Sequence, residues 1–232
     1  MKMLNAIALL STLFPLLSTA QPSQPEWQNP LVNQINREKI HAYFVPHSNK
    51  DAALKNENNR RMSLNGTWKF NYSSNPSQRP ADFYKKNFDT KNWKTIQVPG
   101  SWELQGFDSP IYTDVQYPFP ARPPFVPTDY NPVGSYLREF TVPQSWNGSD
   151  IILHFDGVES AFYCWVNGIR VGYSEDSRLP AEFNITKYLK KGKNTLAVEV
   201  YRYSQYRDWE TDRKSTRLNS SHITRSRMPS SA

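Results

Sequence analysis

A single cysteine among 232 residues leaves no internal disulfide to form, so this chain is not held together by covalent staples. Cys164 lies inside an aromatic, strand-like run and reads as a small core hydrophobe, not a reactive thiol. Histidine is scarce too. His41, His47, His154 and His222 show no metal-ligand spacing, and His154, on an alternating stretch, is expected on a solvated face. The glycines form no phosphate-cradling loop, and no serine sits in a nucleophile elbow. Beyond residue 20 no apolar run reaches the length of a membrane span. These absences exclude a thiol or metal centre, a phosphate-loop nucleotide site and a helical membrane anchor in the body of the chain.

Aromatics are what the chain has in plenty: seven Trp, thirteen Tyr and twelve Phe, beside eighteen Pro. That combination predicts an all-β, loop-rich domain, and the length allows one with a substantial core. Lys2, the apolar stretch Leu4 to Leu17 and the small residues Ser18-Thr19-Ala20 have the pattern of a signal peptide. Residues 1–20 are therefore set apart, and the mature chain is expected to be exported, periplasmic or secreted. Residues 205–232 are rich in Ser and Arg with no sustained period, and read as a non-native or disordered tail. Arg207, Arg213, Lys214, Arg217, Arg225 and Arg227 oppose only Asp208, Glu210 and Asp212 there, so much of the net charge of +7 is an end effect. Neither a nucleic-acid nor a membrane partner is implied.

Between these ends, residues 21–61 read as an extended arm, with a short helix in Lys50 to Asn56. Regular structure is expected over residues 62–204. Trp68, Phe70 and Tyr72 alternate with polar neighbours, as do Tyr136 and Phe140, then Ile151, Leu153 and Phe155, then Leu196, Val198 and Val200 opposite Glu199 and Tyr201. Ala161 to Val166, the Asn167-Gly168 pair and Ile169 to Tyr173 read as a β-hairpin with a type I′ turn. Pro80 can open a helical turn through Ala81 to Tyr84, and Thr186 can cap another that Gly192 closes. The stretch from Pro99 to Pro132 is a proline-rich loop whose aromatics argue for order, with core packing the commoner role for any one of them. Short strands, turn chemistry and almost no helix indicate an antiparallel β-sandwich. Glu175 and Asp176 are adjacent on a strand and point apart, so Ser174 to Arg178 reads as a polar turn and not a catalytic pair.

The segments FDGV and SAF, the WVNG turn, VGYSEDSRLPAEF and TKYLKKGKNTLAVEV together resemble the N-terminal sugar-binding domain of family 2 β-galactosidases. The likeness runs from about Glu26 to Ser204. It implies a jelly-roll of the galactose-binding type and a β-galactoside as the partner. It also implies that both catalytic glutamates lie in a separate (β/α)8 barrel further along, so no catalytic residue is expected in this chain. The proline-rich loop resembles the one that this family extends into the barrel's active site. Where the family has a sugar-binding Asn after a Tyr-Thr pair, this chain has Asp114, two residues after Tyr112; Asp can accept from a hydroxyl but cannot donate. The family's Trp-Ser-Asp-Gly stretch, whose Asp binds sugar and a monovalent cation, is replaced by Tyr203-Ser204-Gln205-Tyr206. Magnesium, sodium or potassium, and a homo-oligomer, are implied for the full-length family enzyme, with no metal site in this chain. Two other readings compete: a free-standing carbohydrate-binding module, and another family 2 member such as a β-glucuronidase or β-mannosidase.

Overall fold

The computed structural model of the protein describes residues 24–42, 44–110, 125–205, 217–218 and 221–225. The signal-like segment 1–20, Tyr112 and Asp114 lie outside the described residues. Strands β1 (Gln34–Ile35), β2 (Arg61–Ser63), β3 (Gly66–Ser73), β4 (Lys94–Val98), β5 (Gly100–Ser101) and β6 (Val133–Thr141) come first. They are followed by β7 (Ile151–Phe155), β8 (Ala161–Val166), β9 (Ile169–Glu175), β10 (Ala181–Asn184) and β11 (Lys193–Tyr201). Short pieces of the tail, β12 (Arg217–Leu218) and β13 (Ser221–Arg225), are strands as well. A large sheet runs β1-β9-β8-β11-β6-β3-β4, a smaller one runs β10-β7-β13-β2, and β12 lies beside β5. All these pairings are antiparallel. The fold is the expected antiparallel β-sandwich.

The hairpin turn follows from its two residues. Asn167 has φ 53° and Gly168 φ 87°, the paired left-handed positions of a type I′ turn. Correct register across that turn faces Phe162 and Cys164 inward to the sandwich core. There the Phe155 and Phe162 rings meet edge to face at 4.8 Å, and Phe183 closes on Phe162 at 6.0 Å. Each such buried side chain contributes about 1.5–3 kcal/mol relative to exposure. Cys164 is fully buried among them, as its strand context suggests.

The outer face of the large sheet is a second apolar layer. Trp27 of the arm stacks on Tyr201 at 5.0 Å, Tyr84 stacks on Trp165 at 4.7 Å, and Phe83 packs edge-on to the same indole. Glu199, on the polar side of β11's alternation, is consequently buried: it accepts from the Tyr201 hydroxyl at 2.8 Å and from Arg79 Nε at 3.2 Å. Burial pushes its carboxyl above the usual range despite Arg79.

Several local expectations are corrected. The segment after Pro80 makes an isolated turn, Lys85 N–H to Asp82 carbonyl at 2.9 Å, and no helix, because it folds Phe83 under the sheet. Thr186 does not cap a helical turn but begins one, Thr186–Tyr188; Asn184 accepts its N–H, and Gly192 (φ 79°) lies in the later turn before β11. The helix of the arm forms at Lys50–Leu54, capped by Asn49, whose side chain accepts from Ala52 N–H. Within the tail, β13 lies between β7 and β2, with Ile223 opposite Leu153 and Met62. Ladder pairing needs only main-chain groups, so a Ser- and Arg-rich segment can supply a strand without an apolar period.

Candidate functional site

The proline-rich loop leaves the sandwich at β5 and returns at β6, and its two described limbs converge on one buried cluster. On the outgoing limb Trp102 is fully buried, edge-on to Tyr72 at 5.9 Å and tilted against Phe70 at 6.1 Å. Its indole N–H donates to Glu103 Oε1 at 2.7 Å. The next turn closes at Gly106 (φ 83°), and Phe107 N–H reaches back to the Trp102 carbonyl at 3.0 Å. Phe107 then packs edge to face on Phe70 at 4.6 Å. Two of the loop's aromatics thus serve burial, as weighed from the sequence, while Phe125 is exposed.

On the returning limb Asn131 is fully buried. Its side chain donates to the Tyr203 carbonyl and accepts from the Tyr203 N–H, both at 2.9 Å. Arg202 N–H completes the stitch to the Pro132 carbonyl at 3.0 Å.

Between the limbs lies the Arg202 guanidinium, with a side chain only 5% exposed. It faces Glu103 at 3.4 Å, forms a very close pair with Asp108, and donates to the Ser109 carbonyl at 3.2 Å. The Tyr130 hydroxyl of the other limb stands 3.5 Å from it and donates to Asp108 Oδ1 at 3.3 Å. Burial opposes the arginine's charge, but Tyr203, Asp108 and Glu103 outweigh it and the pKa rises further. Burial and the Asp108 charge likewise raise both the Tyr130 and Tyr72 hydroxyls, which remain neutral donors.

This arrangement limits the chemistry available. A glycosidase's two carboxyl groups must flank one bond, one of them free to give a proton. Glu103 and Asp108 are the close acidic pair of this region, and both are committed to Arg202. Glu175 is buried and accepts from Tyr173, while Asp176 Oδ1 accepts from the Arg178 and Leu179 N–H groups, which is the polar turn expected. His154 departs from expectation. It is buried, with Nδ1 2.7 Å from Glu182 of β10 and Nε2 2.8 Å from Asp156, just past the end of its own strand. His41 of the arm meets the other oxygen of Glu182 at 2.8 Å. No three His, Cys, Asp or Glu residues among those described are grouped to hold a metal ion. Gln205, standing where the resemblance places a cation-binding Asp, instead gives its N–H to the Trp27 carbonyl at 3.3 Å and its side-chain amide to Gln28. At this position the chain offers an amide engaged with the arm in place of a carboxylate.

Sequence reasoning selected Tyr112 and Asp114, which lie outside the described residues, and missed the groups at the base of the loop. Glu103, Asp108, Tyr130, Asn131 and Arg202 carry no local motif.

The model of the glycosyl hydrolases family 2 sugar binding domain matches residues 61–228. A β-galactosidase of Priestia megaterium is 47% identical over 203 residues, which cover 84% of this chain and 20% of that protein. A β-galactosidase of Yersinia pestis is 45% identical over 185 residues, 78% of this chain and 17% of that one. The chain thus spans about a fifth of the length of these relatives. Among solved structures, a calcium-binding mutant of Bacteroides uniformis β-glucuronidase 2 aligns with 72% of this chain and 18% of its own, at TM-score 0.54 and 24% identity. A family 2 member from Bacteroides cellulosilyticus aligns with 72% and 20%, at TM-score 0.52 and 22% identity. At such identities the structural likeness speaks for the fold.

Proposed function

The chain belongs to the glycosyl hydrolases of family 2, and from that premise we propose that it is the sugar-binding N-terminal part of a β-galactosidase. The observation that carries this reading is the identity of 47% to a β-galactosidase across most of the chain. The full enzyme would hydrolyse terminal β-galactosides with retention, from two glutamates in a barrel beyond the part present here. This part would supply sugar contacts from the proline-rich loop, with Asp114 accepting a hydroxyl and Tyr112 beside it. A carboxylate there also disfavours an anionic sugar, which argues for a galactoside over a glucuronide. Magnesium and a monovalent cation would be held by the rest of the enzyme, which would be exported and assemble as a homo-oligomer. Alone, the 232-residue chain is inactive on this reading.

The test replaces the matched stretch of the Priestia megaterium enzyme with the corresponding residues of this chain. Hydrolysis of a chromogenic β-galactoside, with little of the matching β-glucuronide, is the expected result. Preference for the glucuronide, or hydrolysis by the unfused chain, would overturn the proposal.

A further inference from the structure

The geometry points to Arg202 as the positioning residue of the proline-rich loop, gripping its neck so that the two limbs are held together against the sandwich. The inference rests on the reading of that loop as the galactoside contact. Three features carry it. The guanidinium is buried yet touches the outgoing limb at Glu103, Asp108 and the Ser109 carbonyl, and the returning limb at the Tyr130 hydroxyl. Asp108 and Tyr130 are 22 positions apart in the chain, so their bond closes a long excursion at its neck. The arginine itself follows β11, the strand between β8 and β6 in the large sheet, so the grip is anchored to a rigid element.

The chemistry requires arginine. A planar fork with five donors can meet two carboxylates and a carbonyl at once, whereas a lysine ammonium is a point charge that reaches fewer acceptors in fixed directions. Asp108 is matched to its place: it takes φ 65°, a conformation that Asp and Asn tolerate better than most side chains.

Substituting Arg202 alone strands two buried carboxylates and can unfold the chain. The decisive variant therefore removes all three charges together: Arg202→Met, Glu103→Gln and Asp108→Asn in the 232-residue chain. Backbone hydrogen exchange and an NMR titration with methyl β-galactoside are read on this variant and on the parent. Exchange at residues 104–109 and 129–131 should quicken at least tenfold. Exchange in β6 and β11 should hold steady, and galactoside affinity should fall about tenfold. Arg202→Lys should restore only part of both effects. Unchanged exchange at the neck would overturn the assignment, as would an equal rise throughout β6 and β11, which marks general destabilisation. Full restoration by lysine would overturn the argument from the fork. If the parent chain fails to bind the galactoside while neck exchange still rises, Arg202 stands as the loop's anchor and the galactoside reading falls.

Discussion

Gly134 offers the sharpest test of how the loop's base is packed. A Cβ at this position would lie 2.4 Å from Trp102 Cζ3 and 2.8 Å from both Trp102 Cε3 and Phe70 Cε2. Carbon atoms settle at about 3.5–4.0 Å, so Gly134→Ala requires the indole to withdraw by roughly 1 Å. Little can give way. Trp102 is fully enclosed, with Phe70 and Tyr72 against it, and the Gly134 main chain is held on both sides, opposite Val200 of β11 and Tyr72 of β3. Overpacking of this kind costs about 1–3 kcal/mol, and the reduced freedom of the unfolded chain returns about 0.4–1 kcal/mol. The expected net loss is about 1–2 kcal/mol, or roughly 2–8 °C in melting temperature for a domain of this size. Urea denaturation followed by tryptophan fluorescence measures the loss. The Trp102 indole N–H resonance reports separately whether its bond to Glu103 survives. Gly148 is the control: it sits at φ 75° with nothing near its Cβ position, so alanine there adds backbone strain without moving the indole. An unchanged urea midpoint for Gly134→Ala, with the indole resonance unmoved, would refute the packing argument.

Two further outcomes are expected. Hydrogen bonds to the Ala42 carbonyl and Glu182 raise His41; burial opposes the charge of His154, but Glu182 and Asp156 prevail and raise it too, while its bonds to both rings lower Glu182. The histidines' contribution to stability is complete below their ordinary value of 6.5 and is lost as pH rises through the folded values, whereas Glu182's is lost only as pH falls through its lowered one. His154→Gln should therefore flatten the decline of the urea midpoint as pH rises above 6.5, and an unaltered slope would remove the cluster from the pH dependence. Burial raises the Cys164 thiol far above its ordinary range, so a disulfide reagent should label it only on unfolding, and rapid labelling of the native chain would contradict its place in the core.

Much of the sandwich was legible because its signals are local. Asn167-Gly168 specifies its turn through two left-handed residues, and the inward positions of β6, β7 and β11 read directly from alternation. The opposite faces were misread for one physical reason. Alternation marks a polar side, but it cannot tell whether distant chain will later cover that side. Trp27 does so over Tyr201, Arg79 over Glu199, and Glu182 of β10 over His154. Several of these buried polar groups meet a partner far away in sequence: Glu199 meets Arg79, His154 meets Glu182 and Tyr163 meets Glu26. Such pairs leave no trace in a local window.

The same distinction separates the two ends of the proline-rich loop. Tyr112 and Asp114 could be chosen because a short family pattern, a Tyr-Thr pair and the residue after it, falls on them even though Asp114 replaces the family's Asn. The neck has no such pattern, since Glu103, Asp108, Tyr130 and Arg202 come together only after β11 has been laid between β6 and β8. Proline restricts each limb's backbone and lowers the entropy lost in ordering it, but it cannot aim the loop. Aim comes from Arg202, Asn131 and Trp102, which fix the limbs to the sheet. A β-glucuronidase structure shares the fold while the sequence is 47% identical to a β-galactosidase, so the frame alone does not select the sugar. On the proposed reading, selection falls to what the loop carries and to how firmly its neck holds that cargo in place.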